Sequence, residues 1–298
     1  MYVCENGVMS HFAEELRSQP ELWRRAARLA RDGTPLPAVG ERVALIGCGT
    51  SLYVAQAVAR YREIQGLGET DAFPASEFPA NRAYDTLVAV SRSGTTTEVV
   101  RAVASVSPHT RVVVVTATED SPLARAANDL ILLSFADEES IVQTRFATST
   151  LALILASLGW DIETSAEQAV AQLATGAPRV AEDTLQFVFL GRGMAAAIAS
   201  EAALKMREVL GAWTEAYPTM EFRHGPISAL TERSLVWVLD HEEPSIDEQI
   251  ERTGARLFRP EGDPLVELVR VHLVAEHLAS VRGIDVDRPR FLTRSVVL

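Results

Sequence analysis

Forty acidic side chains against 28 basic ones leave this chain of 298 residues with a formal net charge of −12. No Lys/Arg-rich run offers a track for a phosphate backbone, which argues against nucleic acid as the main partner, although a small phosphate held by a few donors remains compatible with the charge. Hydrophobic residues make up 47% and charged ones 23%, an ordinary soluble globular composition, and the length suits two domains with substantial cores. No apolar run approaches a membrane span and no basic-then-apolar leader opens the chain, so no membrane partner is expected and cytoplasm is the expected compartment.

Residues 1–8 carry no periodicity, and Met1 and Met9 are both candidate starts. Ser10 caps a helical stretch expected to break near Pro20. A turn-rich segment, 32–40, leads into a strand at 43–46 and a helix to about residue 64. A short strand is expected near 70–73, then a strand at 86–90, a polar loop and a helix through 106. Strand 112–116, the turn-helix SPLARAAND and strand 130–133 close a first unit, and a long helix is expected from about 141 to 158. The second unit has strand 187–190, a helix to about 210, a loop to 226, strand 235–239, a short strand at 257–258 and a helix from 264 to about 282. The tail, GIDVDRPRFLTRSVVL, is loop-like and then extended. Strands alternating with helices imply parallel sheets with right-handed crossovers. The expected division is a helical segment (1–40), a first unit (41–160), a second unit (161–283) and a tail (284–298).

A strand-then-glycine turn occurs twice, as VALIGCGTS (43–51) and FVFLGRGMA (187–195). Gly47 and Gly49 match Gly191 and Gly193 at an offset of 144 residues. The chain therefore reads as two copies of one α/β unit, and the copies differ in their polar residues. In the first, SRSGTTTE (91–98) joins hydroxyls, N–H groups freed by Gly94 and the positive end of a helix, a combination that suits a phosphate monoester. Capping alone would need one Ser or Thr. Thr50 and Ser51 add donors from the neighbouring strand end. A dinucleotide fingerprint is the weaker match, because GCGTSL lacks the third glycine and no acidic partner follows, so no cofactor is expected. Cys48 reads as a packing residue, and neither it nor Cys4 has metal spacing.

The second copy has Met194 and Ala195 where the first has Thr50 and Ser51. Its counterpart of the polar loop, Asp240-His241-Glu242-Glu243, would repel phosphate. Glu201, Lys205 and Glu208 share one helix face, either as a solvated surface pair with a bystander or as part of a site. Lys205 is the single lysine, so it is expected to be kept for its shorter head or its amine. His224 is either an ordinary loop histidine or a proton shuttle.

The motifs GCGTS (47–51), SEF (76–78), SRSGTTTE (91–98), FLGRG (189–193), EAALKMREVLGAWTEAY (201–217), EFRHGP (221–226) and DVDRPRFLTRSV (285–296) occur in an order that resembles the double sugar isomerase (SIS) domain proteins. The chain resembles especially the isomerase half of the glutamine–fructose-6-phosphate aminotransferases. The resemblance covers nearly the whole chain and implies an α/β fold of two tandem doubly wound, flavodoxin/Rossmann-like parallel-sheet subdomains. It further implies a phosphosugar held by Thr50, Ser51, Ser91, Ser93 and Thr96, with Arg92 at a neighbouring contact and the tail closing over the site. Glu208 would be the base that moves a proton between C1 and C2, and His224 would assist ring opening across a homodimer interface. No metal or cofactor is implied.

Two departures stand out. No glutamine-hydrolysing domain, and hence no internal source of ammonia, is expected. The family's tail lysine, placed for imine formation, is Arg294, expected to keep the charge at the substrate without forming an imine. Arg145 takes a position that is often Lys in related ketose/aldose isomerases, and Lys205, at a family lysine position, is expected to be structural or electrostatic. The implied activity is a metal-free isomerase of a 6-phosphorylated amino sugar or its ketose, with isomerising deamination of glucosamine 6-phosphate as one concrete form. Deglycation of a fructosamine phosphate and non-catalytic phosphosugar sensing are the alternatives. Retention of Glu208 and His224 favours the enzyme.

Overall fold

The computed structural model describes residues 9–239, 244–260 and 262–298. The acidic loop Asp240–Glu243 lies outside the described residues. Helix α1 (His11–Arg31) opens the fold, with the Ser10 hydroxyl accepting from Ala13 N. It runs straight through Pro20, against the expected break. Proline leaves the carbonyl four residues back without a donor. Here the Gln19 side-chain amide donates to that carbonyl, Leu16 O, at 2.9 Å, and the helix continues.

Strands β1 (Val43–Gly47), β2 (Thr70–Pro74), β3 (Thr86–Val90), β4 (Arg111–Thr116) and β5 (Asp129–Leu132) form one parallel sheet in the order β2-β1-β3-β4-β5. The first unit's helices are α2 (Thr50–Ile64), α3 (Thr97–Ser105), α4 (Pro122–Ala126) and α5 (Arg145–Ser157). After α6 (Ile162–Thr175), the second sheet consists of β6 (Gln186–Gly191), β7 (Trp213–Pro218), β8 (Ser234–Val238) and β9 (Arg256–Phe258), also parallel, in the order β7-β6-β8-β9. Its helices are α7 (Met194–Leu210), α8 (Pro244–Glu251) and α9 (Pro264–Val281). The two strand orders coincide over four strands, so the duplication seen in the glycine turns is a duplication of topology. It extends to the neighbouring edge strand: Gly47 pairs with Pro74 and Gly191 with Pro218, both pairs separated by the same 144 residues.

The sequence expectations lacked β7, α6 and α8. Strand β7 had been expected as loop because WTEAYP is polar. As an edge strand it buries little beyond Thr214, so it shows no apolar run. Helix α5 starts at Arg145 rather than near 141, because the buried Glu138 carboxylate accepts from Thr144 N and Arg145 N and starts the helix there.

Both sheets are covered on both faces, which is why the central strands are apolar throughout. Inward residues such as Leu45, Val88, Phe189 and Trp237 join α1, α2, α5, α6, α7 and α9 in one core between the sheets. The alternate residues pack outward, Ile46 and Leu87 with Val99 of α3, and Val188 and Val236 with Phe222 and Ile246. Among the described residues no helix is long and apolar enough to cross a membrane.

Helices α2 and α7 pack antiparallel at the centre. Gly49, at the start of α2, faces Leu204 near the end of α7, and Gly193, at the start of α7, faces Ile64 at the end of α2. A Cβ added to Gly47 would lie 2.6 Å from the Ser51 backbone, and one added to Gly191 would lie 2.4 Å from that of Ala195. Only glycine lets each strand deliver its helix so tightly. The antiparallel arrangement carries the last turn of α7 to the first turn of α2, and hence to the carboxyl end of the first sheet.

Candidate active site

In the first sheet the strand order reverses between β1 and β3, the point where open α/β sheets leave a crevice at their carboxyl ends. The loop after β3 and the turn after β1 meet there. Cys48, Ser51, Ser91, Arg92, Ser93, Thr96, Gln143 and Arg294 are the polar lining of a cavity of about 30 Å³. The starts of α2 and α3 belong to the same two turns, so two positive helix ends lie at this crevice. Thr96 stands at the N-cap of α3, yet its side chain makes no capping bond, which leaves the hydroxyl for other partners. Ser91 Oγ accepts from Gly94 N at 3.2 Å, and Gly94, at φ 64°, turns the loop back on itself.

The tail lies on this loop. Ser295 Oγ bonds Ser93 Oγ at 3.1 Å and Thr95 Oγ1 at 2.9 Å, and Val296 O accepts from Thr97 N. Farther back, Asp287 anchors the tail by accepting from His11 N and Phe12 N at the start of α1. The buried Arg92 guanidinium is 3.3 Å from Glu138 and donates to the carbonyls of Ser140, Ile141 and Arg294. It therefore braces the 138–141 turn and the tail while lining the cavity. Arg294 grips the Asp137 carboxylate with one nitrogen, at 2.5 and 2.7 Å, and Glu138 O with the other. Arg145 donates to Asp137 O.

Lys205, wholly buried, reaches across from α7. Its ammonium lies 2.9 Å from Thr50 Oγ1, 2.5 Å from Glu208 and 3.4 Å from Glu201. The surface-pair alternative for Glu201 and Lys205 is thereby corrected: the antiparallel packing of α2 on α7 encloses both. Burial presses the ammonium toward its neutral form, but Glu201 and Glu208 outweigh it and hold the pKa above that of an ordinary lysine. For Glu201 burial wins, over the opposing pull of Lys205, and its carboxyl is pushed up to about 7. Glu208 keeps about a fifth of its side chain exposed, at the mouth of this group.

Thr50, Ser51, Ser91, Arg92, Ser93, Thr96, Glu208 and Arg294 thus gather at one end of the α2/α7 pair. His224 does not. It is exposed and follows β7, whose end is tied to the Gly191 turn by Thr219 N to Gly191 O at 3.0 Å. That is the end where α7 begins, and the 17 residues of α7 put about 25 Å between it and the Glu208 end. Asp137, Glu138, Gln143 and Ser295 belong to the neighbourhood without having been singled out from sequence. Residues 141–144 read from sequence as the first turn of a helix but precede α5, so Gln143 carries no site signal of its own. Among the described residues no group of His, Cys, Asp and Glu could hold a metal ion.

Two tandem parallel-sheet units, fused through one helical layer and differing in their carboxyl-end loops, define a double doubly wound α/β protein. The SIS domain model matches residues 38–158 and 183–249, and the chain belongs to that family. It is similar to the isomerizing glutamine–fructose-6-phosphate aminotransferase of Caulobacter vibrioides, 27% identical over 99% of this chain, and to that of Gloeobacter violaceus, 29% identical over 87%. The chain spans 60% and 52% of those relatives' lengths. A solved glucosamine-6-phosphate deaminase from Thermotoga maritima superposes with a TM-score of 0.86 at 25% identity, covering 97% of this chain and all of the other. A tagatose-6-phosphate ketose/aldose isomerase from Escherichia coli shares the fold, with a TM-score of 0.79 at 20% identity over 99% and 98% of the two chains.

Proposed function

We propose that this protein is a phosphosugar isomerase acting on a 6-phosphorylated amino sugar or its ketose, with isomerising deamination of glucosamine 6-phosphate as the specific reaction. The observation that carries this reading is the placement of Glu208, ion-paired to buried Lys205, next to the hydroxyl-rich turns at the switch point. The phosphate is held by Ser51, Ser91, Ser93 and Thr96 and by the two helix ends, with Thr50 linking that cradle to Lys205. Arg92 and Arg294 supply positive charge at its wall.

With the phosphate anchored, the carbon chain extends toward Glu208. Its carboxylate takes the proton from C2 of the open-chain aldose and returns it to C1, while a second proton passes from the hydroxyl or amine on C2 to the C1 oxygen. When C2 bears an amine, the product is a ketimine. Water adds to C2 and ammonia leaves, giving the ketose phosphate. Lys205 supplies Glu208 with a counter-charge and orients it. Arg294 is committed to Asp137, and a guanidinium is not an imine-forming amine, so the ring is opened without an enzyme imine. His224 lies too far from Glu208 in its own chain to assist. In this reading a homodimer brings His224 of a second copy to the site for acid/base work on the ring oxygen.

Glu208→Gln is expected to abolish turnover of glucosamine 6-phosphate while leaving phosphosugar binding nearly intact. Unchanged turnover would sink the proposal. A second reading, a phosphosugar sensor, is favoured by one observation: Ser295 of the tail already satisfies Ser93 and Thr95. A panel of hexose, hexosamine and fructosamine 6-phosphates that bind without ammonia release, isomer exchange or deglycation would establish the sensor instead.

A further inference from the structure

Most of the polar wall of the switch-point cavity is spoken for by the protein itself. Arg294 is committed to Asp137 and Glu138, Ser93 to Ser295 and Thr95, and the terminal nitrogens of Arg92 to Glu138 and three carbonyls. Two atoms of the wall are shielded from solvent and have no hydrogen-bond partner among the described residues, Arg92 Nε and Gln143 Oε1. One is a donor and the other an acceptor, and they do not satisfy each other. Leaving a polar group unpaired costs stability, so such atoms in a binding cavity point to a ligand.

The two orphans ask for different chemistry. Arg92 Nε needs an acceptor, which a phosphate oxygen supplies. Gln143 Oε1 needs a donor. A phosphate monoester near pH 7 is mostly a dianion with acceptors only, so the phosphate cannot serve it. A sugar hydroxyl or amine can. Gln143 also stands in the 141–144 turn, which Arg92 and Glu138 hold rigidly against the phosphate loop. Its position relative to the phosphate is therefore fixed.

Resting on the reading of the cavity as a phosphosugar site, we infer that Gln143 is a specificity-determining residue. Its carboxamide oxygen accepts from a hydroxyl or amino group of the sugar, on the part of the molecule next to the phosphate, and so distinguishes phosphosugars from phosphate alone.

The test is calorimetric titration of the full chain and of Gln143→Ala and Gln143→Glu, using inorganic phosphate, glucosamine 6-phosphate and fructose 6-phosphate. One lost hydrogen bond predicts that Gln143→Ala binds at least one of the two sugar phosphates roughly five- to tenfold more weakly, with phosphate affinity within about twofold of the parent. Gln143→Glu, which puts an anion beside the phosphate, is expected to weaken all three. Parent-like affinity of Gln143→Ala for both phosphosugars would overturn the inference. So would an equal loss for phosphate and phosphosugars, which would mark a merely structural role. A parent chain that binds none of the three would instead overturn the phosphosugar reading itself, and this inference with it.

Discussion

Lys205→Met removes the ammonium that holds two carboxylates together while nearly preserving side-chain volume. The lysine side chain is 0% exposed and that of Glu201 4%, so deletion leaves a carboxyl group in the core with no counter-charge. Breaking a buried pair from one side costs about 3–5 kcal/mol, far more than an exposed pair is worth. The loss is expected to depend on pH in a stated direction. In the parent protein burial pushes the Glu201 carboxyl up to about 7 from its ordinary 4.5, so the folded state holds a proton that the unfolded state has released between those values. This contribution is fully present below about pH 4.5 and falls away toward pH 7, by an amount on the order of 2–3 kcal/mol. Lys205 itself, raised above its ordinary value, loses its contribution only in the alkaline range. Without Lys205 the Glu201 carboxyl rises further and protonates more readily. Urea unfolding of both proteins at pH 5.5 and pH 8 is therefore expected to show the full 3–5 kcal/mol deficit at pH 8 and about half of it or less at pH 5.5. A deficit below about 1 kcal/mol at pH 8, the size of an exposed pair, would refute the argument. A deficit equal at both pH values would refute the role assigned to Glu201.

Mixing Glu208→Gln with His224→Ala chains, each inactive alone, is expected to restore about a quarter of parental turnover, since half the dimers are mixed and each contains one intact site; no recovery would remove the cross-subunit role of His224. Gly191→Ala places a Cβ 2.4 Å from the Ala195 backbone, and thermal and urea unfolding are expected to show a loss of about 2–3 kcal/mol, with a neutral result contradicting the tight strand-to-helix approach. Cys48 lines the switch-point cavity, and its thiol is held up by burial and then by Glu98, so alkylation is slow at neutral pH. In a Cys4→Ser background at alkaline pH, inorganic phosphate at ten times its Kd is expected to slow alkylation of Cys48 roughly tenfold, and equal rates would place the phosphate elsewhere.

The regular alternation of apolar strands and amphipathic helices made the two sheets legible in advance, because strands buried on both faces have little freedom in composition. What packing or individual side chains decide leaves no such pattern. Strand β7 was hidden by its polar edge position, although carrying the 144-residue offset from β2 would have located it. The helix through Pro20 depends on one side-chain amide, Gln19, which no periodicity reports. At the site, the hydroxyl cluster was legible as excess over capping needs. Burial of Lys205 was not, because i, i+4 spacing is the same on a wet or a dry face and only the crossing of α2 and α7 distinguishes them. The commitment of Arg294 to Asp137 lies equally beyond sequence, since the two are 157 residues apart.

The pseudo-twofold between α2 and α7 also bears on ancestry. At the 144-residue offset, Glu201, Lys205 and Glu208 correspond to Ala57, Tyr61 and Ile64. The end of α2 that packs at Gly193 thus has an exposed isoleucine where the other end has a carboxylate. A duplicated unit creates two equivalent crevices, and a pair of identical chains would have had to equip both alike. In one polypeptide that constraint is lifted: the hydroxyl-rich turns and Glu208 stand at one end of the helix pair, and an exposed isoleucine takes the matching position at the other.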